Sequence, residues 1–181
     1  GFTFTGDQGI TLSGNPNTYT GNTIIDDTVI TAGMDNVFGQ KGDLTLKGQS
    51  TFNLACMKQS VDNLQLGQQG VIDLNQGELT LAENSASTVS GQLLGNDQSK
   101  LNINAGAVNV ESSNAGLNEA VTLGQNAIVN LANTDGLGRG TLAMGQGKNT
   151  INLNKGGDFA NTLTGDQSNT LNITQGDVAL L

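Results

Sequence analysis

Short apolar-x-apolar triplets recur along this chain, each followed by a turn rich in Gly, Asn, Asp or Gln. One set ends on Leu46, Leu66, Leu94, Leu123, Met144 and Leu163, with a glycine one or two residues later. A second set has Asn or Asp at its centre: Phe52-Asn53-Leu54, Ile72-Asp73-Leu74, Leu101-Asn102-Ile103, Val129-Asn130-Leu131, Ile151-Asn152-Leu153 and Leu171-Asn172-Ile173. A third follows a glycine: Leu79-Thr80-Leu81 after Gly77, Val108-Asn109-Val110 after Gly106, and Val178-Ala179-Leu180 after Gly176. The centres of the second set are separated by 20, 29, 28, 22 and 20 residues. This predicts a unit of 20–22 residues holding three short strands. Two units are expected to be expanded, near residues 82–91 and 111–119.

Alternation of period two sends both apolar residues of a triplet to one side and the middle residue to the other. One such unit cannot bury its own apolar face, whereas stacked units bury a continuous core and complete each other's backbone hydrogen bonds. The 3.6-residue spacing of an amphipathic helix occurs nowhere. The predicted fold is therefore all-β: a right-handed parallel β-helix with three short strands per coil and about eight coils, roughly 40 Å long at the usual strand spacing. Residues 1–181 read as one solenoid, in which 44–181 carry the regular coils. A jelly roll or propeller would need antiparallel hairpins and larger units.

Composition narrows the function classes. Polar positions are filled by Asn, Gln, Ser, Thr and 26 Gly, with only 13% charged residues. Net charge is −9 and the seven basic residues are scattered, so phosphate-driven nucleic-acid binding is not expected. Nothing resembles a signal peptide or a membrane span. Both ends read as strands cut in mid-pattern, as in a stretch of a longer chain. Cys56 is the single cysteine, in the apolar run Leu54-Ala55-Cys56-Met57, and is expected to be a buried thiol.

Residues 9–33 carry a further signal: Gly9-Ile10-Thr11-Leu12-Ser13-Gly14-Asn15-Pro16-Asn17-Thr18-Tyr19-Thr20-Gly21-Asn22-Thr23-Ile24-Ile25, then Thr28-Val29-Ile30-Thr31-Ala32-Gly33. This run resembles the autotransporter-associated β-strand repeat, with departures at Pro16, which adds a residue to the turn, and at Asp26-Asp27. Residues 1–43 are thus similar to that family, and the rest matches only as generic coils. The resemblance implies a passenger segment of a type V secreted protein, displayed outside the outer membrane of a Gram-negative bacterium. It implies adhesion, cell–cell self-association or a stalk role, with a partner that is either a second copy or a host surface molecule. Alternatives are the stalk of an autotransporter enzyme whose catalytic domain lies elsewhere, or a glycan-processing β-helix.

Chemistry is sparse. The chain has no His and no Trp, and Tyr19 is its only tyrosine, which disfavours His-based catalysis, zinc sites and sugar stacking. No enzyme activity, cofactor or metal is expected. Gly136-Leu137-Gly138-Arg139-Gly140 lacks the Lys-Ser/Thr of a phosphate loop and reads as a turn. Gly6-Asp7-Gln8, Gly95-Asn96-Asp97-Gln98-Ser99 and Gly165-Asp166-Gln167-Ser168 likewise read as turns. Two binding surfaces are predicted. One is an outward polar column on a single flat side, Asn53, Asp73, Asn102, Asn130, Asn152 and Asn172, flanked by Thr45, Gln65, Thr122 and Thr164. The other is an acidic loop surface at one corner of the two expanded coils, built by Glu83, Asn84, Glu111, Asn114 and Glu119.

Overall fold

The computed structural model describes residues 1–145, 147–165 and 168–181. The turn expected at Gly165-Asp166-Gln167-Ser168 falls partly outside them, at Asp166 and Gln167. The chain winds through successive coils. The first contains Phe2–Thr5 (β1) and Ile10–Leu12 (β2), the second Thr23–Asp26 (β3) and Val29–Ala32 (β4). Three three-stranded coils follow: Leu44–Lys47 (β5), Thr51–Asn53 (β6), Lys58–Val61 (β7); Leu64–Leu66 (β8), Val71–Asp73 (β9), Glu78–Leu81 (β10); Ala86–Val89 (β11), Gln92–Leu94 (β12), Lys100–Ile103 (β13). The next two keep two strands each, Gly106–Val110 (β14) with Ala120–Leu123 (β15), and Ala127–Leu131 (β16) with Thr141–Ala143 (β17). Thr150–Leu153 (β18), Gly157–Phe159 (β19) and Thr162–Thr164 (β20) make the eighth coil. Thr170–Ile173 (β21) and Val178–Leu180 (β22) start a ninth.

Three faces result. Sheet I has nine strands in the order β1-β3-β5-β8-β11-β14-β16-β18-β21. Sheet II runs β2-β4-β6-β9-β12 and resumes as the β19-β22 pair. Sheet III runs β7-β10-β13-β15-β17-β20. Every named pairing is parallel, and the fold is a right-handed parallel β-helix. This follows from the pattern: successive strands of one sheet are a full coil apart, and a right-twisted strand returns to its own sheet by a right-handed crossover.

The core is a stack of like residues. Ile25, Leu46 and Leu66 point inward from sheet I, Ile30, Phe52, Ile72 and Leu93 from sheet II, and Leu79, Leu101, Val121 and Leu142 from sheet III; none is more than 3% exposed. Aromatic rings concentrate at the N-terminal end, where Phe38 lies 5.8 Å from Phe4 and 4.8 Å from Phe52 between centroids. The Tyr19 hydroxyl closes the repeat-like segment onto β3 through Thr23 Oγ1 at 2.6 Å.

The two expanded units do not exist. Leu44 pairs with Leu64, Leu66 with Val89, Ala86 with Ala107 and Ala107 with Ile128, steps of 20, 23, 21 and 21 residues. The apparent lengthening arose because an apolar-polar-apolar triplet looks the same on every face. Asp73 belongs to sheet II, Asn102 to sheet III and Asn130 to sheet I, so those two intervals each contain one extra strand and corner. Residues 82–91 hold the strand β11, and residues 111–119 hold a turn on the sheet II side, where one bridge, Gly95 to Leu117, replaces a strand.

Candidate functional site

The predicted single column divides among the three faces. Asn53 and Asp73 are register partners on sheet II. There the Asn53 carboxamide oxygen accepts from the Ala55 amide at 3.0 Å and from Asn75 Nδ2 at 3.1 Å, which fixes the next corner. Asn102 sits on sheet III and donates from Nδ2 to Glu78 Oε1 at 2.7 Å and Thr80 Oγ1 at 3.1 Å. Thr122 shares its column, with Thr164 further along the same sheet. Asn130, Asn152 and Asn172 do stand together on sheet I, joined by Asn109. Each of the three donates from Nδ2 to the Oδ1 of the asparagine one coil earlier, at 2.8, 2.7 and 3.2 Å. Thr45, Gln65 and Thr88 continue that column toward the N-terminal end. From β11 to β21 the outward positions of sheet I are Ala, Thr, Ser, Asn and Ile128, with Glu111 as the one charged residue at the strand ends.

The predicted acidic loop surface is not a surface. Glu83 follows β10, Glu111 follows β14 and Glu119 precedes β15, so the three glutamates occupy three different corners. Glu83 and Glu111 are exposed, and Glu111 Oε2 accepts from Ser90 Oγ at 2.8 Å. Asn84, Asn114 and Glu119 are buried. Asn84 donates to the Ala105 carbonyl at 2.7 Å. Asn114 is fully enclosed: its Oδ1 accepts from the Leu93 amide at 2.8 Å and its Nδ2 donates to the Gly136 carbonyl at 2.8 Å, one coil to either side. These amides carry backbone pairing around corners, where parallel strands leave peptide groups without partners.

Asn149 does the same in the next-to-last full corner. It accepts from the Ala127 amide at 2.9 Å and donates to the Gly124 carbonyl at 2.7 Å. Sequence reasoning missed it, although a signal existed. Asn or Asp stands immediately before a sheet I strand at Asn22, Asp43, Asn63, Asn149 and Asn169, one coil apart except for the four coils between Asn63 and Asn149. Each of Asp43, Asn63 and Asn149 donates its amide N–H to the side-chain oxygen of a neighbour in that series.

Cys56 is exposed, contrary to expectation. It lies at a corner where Ala55 and Cys56 both take left-handed backbone angles, φ 47° and 70°, so its side chain leaves the coil, and its thiol donates to Gln76 Oε1 at 3.3 Å. Left-handed backbone is costly for residues with a Cβ. A maleimide should therefore label Cys56 in the native chain about as fast as in urea; protection by folding would contradict this placement.

The glycine-rich stretch 136–140 forms the sheet II side of the seventh coil. Beside it a groove of about 320 Å³ is lined by Asp135, Gly138, Arg139, Lys155, Gly156 and Asp158, among others. Among the described residues neither Arg139 nor Lys155 has a carboxylate oxygen within 4.0 Å, and no group of three or more Asp, Glu, Cys or His gathers at one point. No helix of the described residues is long and apolar enough to cross a membrane.

The fold and its polar ladders define a parallel β-solenoid with amide-stitched corners. No protein-family model matches the chain, and no solved structure matches it. Among curated proteins it is similar to the "Uncharacterized lipoprotein YdeK" of Escherichia coli (strain K12), 30% identical over 157 residues. That stretch is 86% of this chain and 11% of the lipoprotein, so the chain spans about a tenth of its relative's length.

Proposed function

We propose that this chain is a non-catalytic, rod-forming segment of a bacterial cell-envelope protein, displayed at the cell surface as a stalk or an adhesive face in the manner of an autotransporter passenger. The observation that carries this reading is the unbroken stack of nine sheet I strands on one apolar core, the last four bound outside by an axial amide ladder. At the usual strand spacing this is a rigid spacer about 40 Å long. The likeness to part of a lipoprotein supports an envelope location, and the repeat-like residues 9–33 support the passenger reading.

Within it, self-association has a specific observation in its favour. From β11 onward the outward surface of sheet I is almost uncharged in a chain of net charge −9. Two copies laid along this surface meet little repulsion there, and many weak amide contacts along a rod add up. The test is a bacterium displaying the full-length protein. The Asn130→Lys/Asn152→Lys double variant should abolish aggregation of cells and leave the circular dichroism spectrum unchanged. Replacement of the segment by an unrelated solenoid of equal coil number should preserve adhesion if the segment is a stalk. Unchanged aggregation in the double variant sinks the self-association reading, and turnover of any glycan or ester by the isolated chain sinks the non-catalytic one.

A further inference from the structure

Among the described residues one buried carboxyl group stands without any hydrogen bond. Glu119 is 2% exposed, and neither of its carboxyl oxygens has a hydrogen-bond partner among the described residues. It stands just before β15 on the inner corner between sheets II and III. The register puts Ser99 one coil before it and Gly140 one coil after. Its carboxyl turns toward the preceding coil. A methyl group built on Gly95 would lie 2.9 Å from Glu119 Oε2, and one built on Gly140 would lie 2.0 Å from the Glu119 carbonyl oxygen. Gly95 thus leaves room for the carboxyl group, while Gly140 lets the following coil close against the Glu119 backbone. The turn before it, residues 114–117, is where sheet II lacks a strand.

We propose that Glu119 makes the rod proton-sensitive: the corner closes over a neutral carboxylic acid, and ionisation of that acid loosens the coils on either side, β13 through β17. An ionised carboxylate without partners in an apolar interior is far costlier than a neutral one. Burial alone pushes the Glu119 carboxyl up to about 8. Among the described residues no ion pair reaches it. On the packed segments Asp97 and Lys100 in the preceding coil and Arg139 in the following one are exposed to solvent, and no ion pair joins any of them to Glu119 among the described residues.

The sign is fixed by linkage. The folded chain holds this proton between the ordinary glutamate value of 4.5 and about 8, whereas the unfolded chain has lost it. Stability from this group is complete below the lower value and falls as pH rises through the window. The unfolding equilibrium constant gains up to about tenfold per pH unit, then levels off above the upper value. The effect is independent of which outer face the rod uses, so it stands or falls apart from the stalk and adhesion readings.

The experiment is urea unfolding of the whole chain at pH 5, 6.5 and 8, followed by circular dichroism, for the native sequence and for Glu119→Gln. The other carboxylates are common to both, so the difference isolates Glu119. The native chain should lose stability relative to the variant by a factor of a hundred or more across the window. Carboxyl carbon-13 NMR of the folded native chain should show one glutamate titrating well above the rest. Parallel pH profiles in the two chains would overturn the proposal. So would four glutamates titrating in the ordinary range, a readout that remains if the variant fails to fold.

Discussion

Replacing Asn114 with alanine should destabilise the rod by about 3–5 kcal/mol, because it strands the buried Leu93 amide and Gly136 carbonyl, each costing about 1–3 kcal/mol when left unpaired, as well as removing the bonds themselves. No backbone ladder can take over, since sheet II has no strand at this coil or the next. Leucine should do no better, as it fills the space without pairing either group. Asn130→Ala removes one link of the exposed sheet I ladder and should cost about 1 kcal/mol or less, because water replaces the lost bonds. Urea unfolding of the two variants side by side tests the contrast. If Asn114→Ala cost no more than Asn130→Ala, the corner amides would not be holding the coils.

The second large effect is expected from Phe52→Ala, at about 3–5 kcal/mol for deleting a fully buried ring. Where the loss is felt matters more than its size. A solenoid is stabilised coil against coil, so a cavity in the third coil weakens chiefly its immediate neighbours. Phe52 also supports Phe38, and through it Phe4. Hydrogen exchange should therefore speed up most in β1 through β6, while strands from β13 onward keep their protection. Uniform acceleration along the chain would show that the rod unfolds as one cooperative block.

The architecture was legible because its cause is local and repeated. Every coil sets apolar pairs such as Leu44/Leu46 or Val129/Leu131 around one polar centre, and that alternation admits little except stacked parallel strands. What the pattern does not encode is which of three equivalent faces a triplet belongs to. Asn53, Asn102 and Asn152 look alike in sequence and ended on three different sheets. Identical local grammar also hid the inward amides. Asn84 and Asn114 read as loop residues because burial of a polar side chain depends on carbonyls one coil away, more than twenty residues distant. Glu119 was drawn into an acidic surface for the same reason. Cys56 was misplaced by its apolar neighbours, since the left-handed pair at Ala55–Cys56 turns its side chain outward just where alternation would send it in. The Asn109–Asn172 ladder was half visible, and the assignment of Val108-Asn109-Val110 to a separate set concealed its first member.

The sheet I ladder also gives the rod a polarity. In every link the donor is the later coil and the acceptor the earlier one. The amide dipoles therefore align along the axis instead of cancelling. Two such columns side by side repel if the rods point the same way and attract if they are opposed. Rods anchored in facing cell surfaces point toward each other, whereas neighbours on one surface share a direction. Under the proposed surface display, a ladder of this sense would favour contact between cells over bundling on a single cell, through nothing more than the direction in which asparagines pass a hydrogen bond.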